Sequence, residues 1–175
     1  DLGSGYEASV RVAIGGETIE LKRPVVNRYV DQVHGELTRP VIVAPVVAVG
    51  FSERSLVFPS AAPRAIEVQL RANQVKVSGE LRIEAPAGWK VMPASRNFAI
   101  DDLGGMATAQ FTVTPPAKES SGDLRAVAKV GGLEIHHDMR IIDYEHIPAQ
   151  TVFSESRAAV VRVDARVLSR RVGYV

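Results

Sequence analysis

Residues 134 to 148 read EIHHDMRIIDYEHIP and place three of the four histidines among four carboxylates. Imidazole and carboxylate are the donors of hydrolytic zinc sites and the partners of general acid–base catalysis. Read as an extended strand, 133 to 142 puts Glu134, His136, Asp138 and Arg140 on one face and Ile135, His137, Met139 and Ile141 on the other. Residues two apart on one face lie about 7 Å apart, close enough for His136 and Asp138 to share an ion. A protein zinc site needs a third ligand. His146 lies eight residues past Asp138, on the order of 25 Å away along an extended chain. His34 belongs to a different segment. His136, Asp138 and His146 are therefore the candidate metal or catalytic set, and nothing in the spacing closes it. The expected reading is a solvated strand followed by a loop, with no catalytic, cofactor-binding or metal residue in this chain and with His137 packed on the apolar side.

Other chemistry is sparse. With no cysteine, the chain has no thiolate zinc site, disulfide or cysteine nucleophile. It contains no G-x-S-x-G elbow, no H-E-x-x-H and no phosphate-cradling glycine loop. Asp101-Asp102 before Leu103-Gly104-Gly105 has the donors for calcium, but this pattern is that of a turn. The 21 basic and 20 acidic residues are interspersed and leave a net charge of +1. That balance argues against a nucleic-acid groove or a polybasic membrane surface. No apolar run approaches a membrane span.

The elements that would position these residues have a period of two. Ile66, Val68, Leu70 and Ala72 alternate with polar residues, as do Val77, Leu81, Ile83 and Ala85. Ala107, Ala109, Phe111 and Val113 repeat the pattern, and so do Leu124, Ala126, Ala128 and Val130. Such alternation specifies strands with one face on a core and one in water. Gly79 interrupts one apolar face, marking a bulge or a close approach. Gly15-Gly16 and Gly131-Gly132 read as tight hairpin turns. The fold expected is all-β: an immunoglobulin- or fibronectin-like β-sandwich over 45–143, with flanking hairpin segments.

The flanks set the domain division. Residues 1–44 read as a hairpin (6–26) and a connector, the end of a preceding β domain; 144–175 read as a joint and the start of a following one. A lone hairpin is marginal in water, so the apolar face Tyr6, Ala8, Val10, Val12 and Ile14 needs a partner. The expectation is a piece of a longer protein, with neighbouring domains of the same polypeptide as partners and a homodimer through the N-terminal hairpin as a further possibility.

A glycan is the other partner weighed. Sugar rings stack on exposed aromatic rings, and Trp89 is the only tryptophan. Its parity with Leu81, Ile83 and Val91 places it in the core. Tyr6, Tyr29, Tyr144 and Tyr174 lie outside the sandwich, where interdomain contact is the expected use.

LRIEAPAGWKVMPASRNFAIDDLGGMATAQFTVTPPAKESSGDLRAVAKV resembles the accessory sandwich that follows the catalytic barrel of some α-galactosidases. ELKRPVVNRYVDQVHGELTRPVIVAPVVAV, IIDYEHIPAQTVF and RVGYV resemble the region downstream of the catalytic domain in long bacterial PIG-L (LmbE-like) deacetylases. In that family zinc is bound through an H-P-D-D motif, which this chain lacks, and His136-His137-Asp138 does not match it. No catalytic residue carries over. The resemblance implies a zinc-dependent parent hydrolase that removes acetyl groups from amino sugars or similar amides, in a bacterial periplasm or secreted. This chain would be its non-catalytic accessory module. Tyr144, His146, Ile147, Pro148 and Gln150 would form a structural joint. The alternatives are a carbohydrate- or cell-surface-binding module acting through loops, and a hydrolase using His136, Asp138 and His146.

Overall fold

The structure is a computed structural model that describes residues 5–33, 35–144 and 147–165. It is all-β, with no helix among the described residues. The chain divides into two compact units. One combines Asp1–Pro45 with Met139–Phe153; the other combines Val46–Asp138 with Ser154–Val175.

The second unit is an immunoglobulin-like β-sandwich. Its first sheet runs β5 (Val47–Phe51), β7 (Arg64–Ala72), β11 (Met106–Thr114) and β9 (Lys90–Met92). Its second runs β10 (Ser95–Ile100), β8 (Val77–Glu84), β12 (Ser120–Val130), β16 (Arg157–Arg162) and β6 (Ser55–Phe58). A short strand β13 (Leu133–Ile135) also pairs with β12. Every described pairing within the two sheets is antiparallel except β16 with β6, which is parallel.

The period-two residues build the core between the sheets. Val68, Leu70, Leu81, Phe111, Val113, Leu124, Ala126 and Ala128 are essentially inaccessible. Removing such side chains from water contributes roughly 1.5–3 kcal/mol for each large one. Trp89 joins them at 6% exposure. Its ring meets Phe58 edge-on at 5.1 Å, and its indole N–H donates to the Ser120 hydroxyl at 3.2 Å. The alternation therefore placed this tryptophan correctly.

Two expectations about the flanks need correction. Residues 157–162 do not lie beyond the sandwich. Strand β16 sits inside it, between β12 and β6, with Ala158 and Val160 fully buried. The sandwich boundary at 143 cuts off this strand. Residues 27–45 are also more than a connector. Strands β3 (Val26–Asp31) and β4 (Gly35–Pro40) form an antiparallel pair. Arg28 bridges Glu36 at 2.9 Å, and the Arg39 guanidinium lies over the Tyr29 ring at 5.4 Å. These cross-strand pairs supply side-chain contacts that an alternation search does not register.

The N-terminal hairpin is as expected. Strands β1 (Glu7–Ile14) and β2 (Glu17–Pro24) pair around Gly15-Gly16. Both glycines have positive φ, at 62° and 88°, as the tightest hairpin turn requires. The remaining pair, β14 (His137–Tyr144) and β15 (Ile147–Glu155), is a hairpin that carries the chain from Asp138 back to Ser154.

Candidate functional site

The strand expected from 133 to 142 is broken at His136. Strand β13 ends at Ile135 and β14 begins at His137. The break overturns the parity argument: His136 and His137 do not face apart, since their rings lie 4.4 Å from each other at a 32° tilt. His137 is partly buried, and that burial, together with the neighbouring His136, holds its pKa below the usual histidine value. Its imidazole is half-buried and outside the core cluster, so the parity that placed it on the apolar side of an unbroken strand does not hold.

Asp138 is committed elsewhere. Its carboxylate accepts from Arg54 Nη2 at 2.8 Å. The same guanidinium reaches the Ser154 hydroxyl at 3.4 Å. A side chain at Gly50 would meet the Asp138 carboxyl at 2.7 Å, so the glycine makes room for this contact. His136 and Asp138 thus sit in different surroundings, and His146 lies outside the described residues. Among the described residues, no three histidine, aspartate or glutamate side chains gather around a common point able to hold a metal. Asp138 is engaged by Arg54, and no metal set through His136 and Asp138 is completed among the described residues.

A cleft of about 220 Å³ opens beside His136, on the outer face of the second sheet. Glu84 from β8, Arg125 and Val127 from β12, Glu134 from β13 and Glu155 at the end of β15 line it with His136. Arg82 ties two of the carboxylates together, reaching Glu84 at 2.9 Å and Glu134 at 3.0 Å. Hydrogen bonding to Arg82 holds the Glu134 carboxyl below the usual carboxylate range, and Glu134 in turn raises the Arg82 pKa. A carboxyl held ionised by a guanidinium is poorly suited to donating a proton near neutral pH.

Ser156 also borders the cleft but is 2% exposed, and its hydroxyl has no hydrogen-bond partner among the described residues. Its backbone does the holding. Ser156 N–H donates to the His136 carbonyl at 2.8 Å, and the Ser156 carbonyl accepts from Ala126 N–H at 3.1 Å. Serine, histidine and aspartate are therefore neighbours in the chain path without forming a nucleophile–base–carboxylate relay.

The outer-face alternation of β8 and β12 already places Arg82, Glu84 and Arg125 on one wet surface. Glu155 was missed because it reaches that surface only through the returning hairpin. Val127 was missed for a related reason: it points to the outer face, yet is only 4% exposed.

No family model matches the chain, and no curated protein matches it. Solved structures similar to it include WR4, a Caenorhabditis elegans MSP family member. That similarity is at 8% identity and a TM-score of 0.37, over 69% of this chain and all of WR4. A family 123 glycoside hydrolase from Clostridium perfringens is similar at 8% identity and a TM-score of 0.40. It covers 69% of this chain, which spans 28% of the hydrolase. Likenesses this distant decide nothing about the chain's activity.

Proposed function

We propose that this chain is a non-catalytic β-sandwich module of a larger zinc-dependent N-deacetylase of the PIG-L/LmbE-like kind. In this reading the parent acts on amino sugars or similar amides outside the bacterial cytoplasm, and the module positions its catalytic domain. One observation carries the non-catalytic part. Asp138, the carboxylate that a histidine-based site would need, is engaged by Arg54 at 2.8 Å as an architectural pin. The motif resemblance of the flanks carries the choice of parent. Zinc would be held by the parent's catalytic domain and not by His136 or Asp138.

Intact-mass and sequence analysis of the native product tests the parent. A product that runs past both ends and includes a zinc-binding deacetylase domain supports the reading. A native protein ending near residues 1 and 175 defeats it. Deleting the sandwich from such a parent should lower its activity while leaving its bound zinc in place.

The cleft beside His136 favours a second reading, a glycan-binding module. Carboxylates and guanidinium groups on one small surface can accept from and donate to sugar hydroxyls. Binding on a glycan array that disappears in Arg125→Ala would favour this second reading over the first.

A further inference from the structure

The β1–β2 ribbon has two unlike faces. On one, Glu7 lies 3.8 Å from Lys22, Arg11 lies 3.9 Å from Glu20, and the Ser9 hydroxyl donates to the Glu20 carboxylate. The charges of this face are matched within the ribbon. The other face carries Tyr6, Val10, Ile14, Ile19 and Leu21, each at least half exposed. Val10 lies opposite Leu21 and Val12 opposite Ile19, so the apolar side chains form adjoining cross-strand layers. Together they present on the order of 500 Å² of apolar surface, as large as the largest patch on a typical monomer. Two such faces brought together would bury on the order of 1,000 Å², which reaches the lower bound for a specific interface.

The two ends of the apolar face indicate what covers it. Glu17, opposite Ile14, stands at the turn end, and Arg23, opposite Ala8, stands at the open end. Neither has an ion-pair partner among the described residues. They are six residues apart on one strand, hence about 20 Å from each other. If a second ribbon is laid face to face and antiparallel, its open end covers the first one's turn end. Each Glu17 then meets the other copy's Arg23, twice over, and the Val10–Leu21 and Val12–Ile19 layers pack between. A parallel arrangement would instead oppose like charges, which is unfavourable. A surface whose residues i and j meet j and i of a copy of itself is what a two-fold interface requires.

We propose that the β1–β2 ribbon is a homodimer interface, in which two copies pack their apolar faces antiparallel and close both ends with reciprocal Glu17–Arg23 pairs. The proposal does not depend on the parent enzyme. Sedimentation of the full 175-residue chain, from low micromolar to a few hundred micromolar, tests it. The expected result is a reversible dimer of twice the 18.9 kDa chain mass. The double variant Val10→Asp with Leu21→Asp should stay monomeric throughout, with its sandwich spectrum unchanged. Glu17→Arg and Arg23→Glu should each weaken association about ten-fold. Combining the two exchanges the charges and should recover most of the loss. A wild-type chain that stays monomeric overturns the proposal. So does a dimer indifferent to the Val10 and Leu21 changes, and so does a charge exchange that recovers nothing.

Discussion

Arg54 and Asp138 are 84 residues apart in sequence, yet the guanidinium donates to the carboxylate at 2.8 Å. Arg54 precedes β6, and Asp138 is the second residue of β14, where the chain starts its detour. The pair therefore fixes the point at which the chain departs from the sandwich. Arg54 also touches Ser154, where the detour returns.

Removing that pin should loosen both ends of the detour. Arg54→Ala should lower stability by about 1 kcal/mol, a modest value because the guanidinium is half exposed. Asp138→Asn should cost a similar amount, and the two changes should not add. A double-mutant cycle in urea denaturation measures the coupling, and strictly additive losses would contradict the pairing.

Gly79 offers a sharper test. A Cβ there would lie 2.2 Å from the Lys129 carbonyl oxygen, part of a neighbouring strand's backbone. Backbone cannot swing aside as a side chain can, so β8 and β12 would have to separate. Gly79→Ala should destabilise the sandwich by several kcal/mol, on the order of 3. A shift in the urea midpoint smaller than that of Arg54→Ala would argue against this close packing.

The central strands were legible because their apolar residues recur at strict alternation. Ile66, Val68, Leu70 and Ala72 face the core as read, and Gly79 marks the close approach its position suggested. The histidine segment was misread in geometry. Alternation assumes an unbroken strand, and nothing in HHD announces a break at His136. Strand β16 was misplaced because its pairing partners, β12 and β6, are remote in sequence. Pairings of that kind leave no local pattern. The cleft was half legible: its strand-borne residues followed from parity, whereas Glu155 depended on the return of a hairpin.

His137 makes the pH response of the fold predictable. Its folded-state pKa is lowered, chiefly by burial and then by His136. The unfolded chain therefore takes up this proton first. Its contribution is complete above the unfolded value of about 6.5 and is lost as pH falls from there toward the lower folded value. His137→Gln should flatten this part of the stability profile between neutral and mildly acidic pH. Identical profiles for the two proteins would remove His137 as the cause.

Arg162 presents the opposite case, a cation placed where the core wants carbon. It shares the inward face of β16 with Ala158 and Val160, and it is 5% exposed. Asp164 accepts from Nη2 at 3.3 Å, but Nε and Nη1 have no hydrogen-bond partner among the described residues. Replacing a poorly compensated buried charge by an apolar chain of similar length is often neutral or favourable. Arg162→Met should therefore leave the thermal midpoint unchanged or raise it by a few degrees. A large fall would show that the guanidinium is better satisfied than its contacts indicate.

The place of β16 has a kinetic consequence. The strand that joins β12 to β6 is the last one described, and the ribosome delivers it only after the whole 139–153 detour. Until Arg162 emerges, β6 has no neighbour in its sheet and the Ser120–Arg125 stretch of β12 stays open on one side. The nascent sandwich must wait with two unsatisfied edges, and such edges invite pairing with other chains. Closing the sheet also means joining segments about 100 residues apart, so slow folding is the natural expectation. A shortened gene that stops at residue 143 would make that waiting state permanent, and aggregation would be its expected fate.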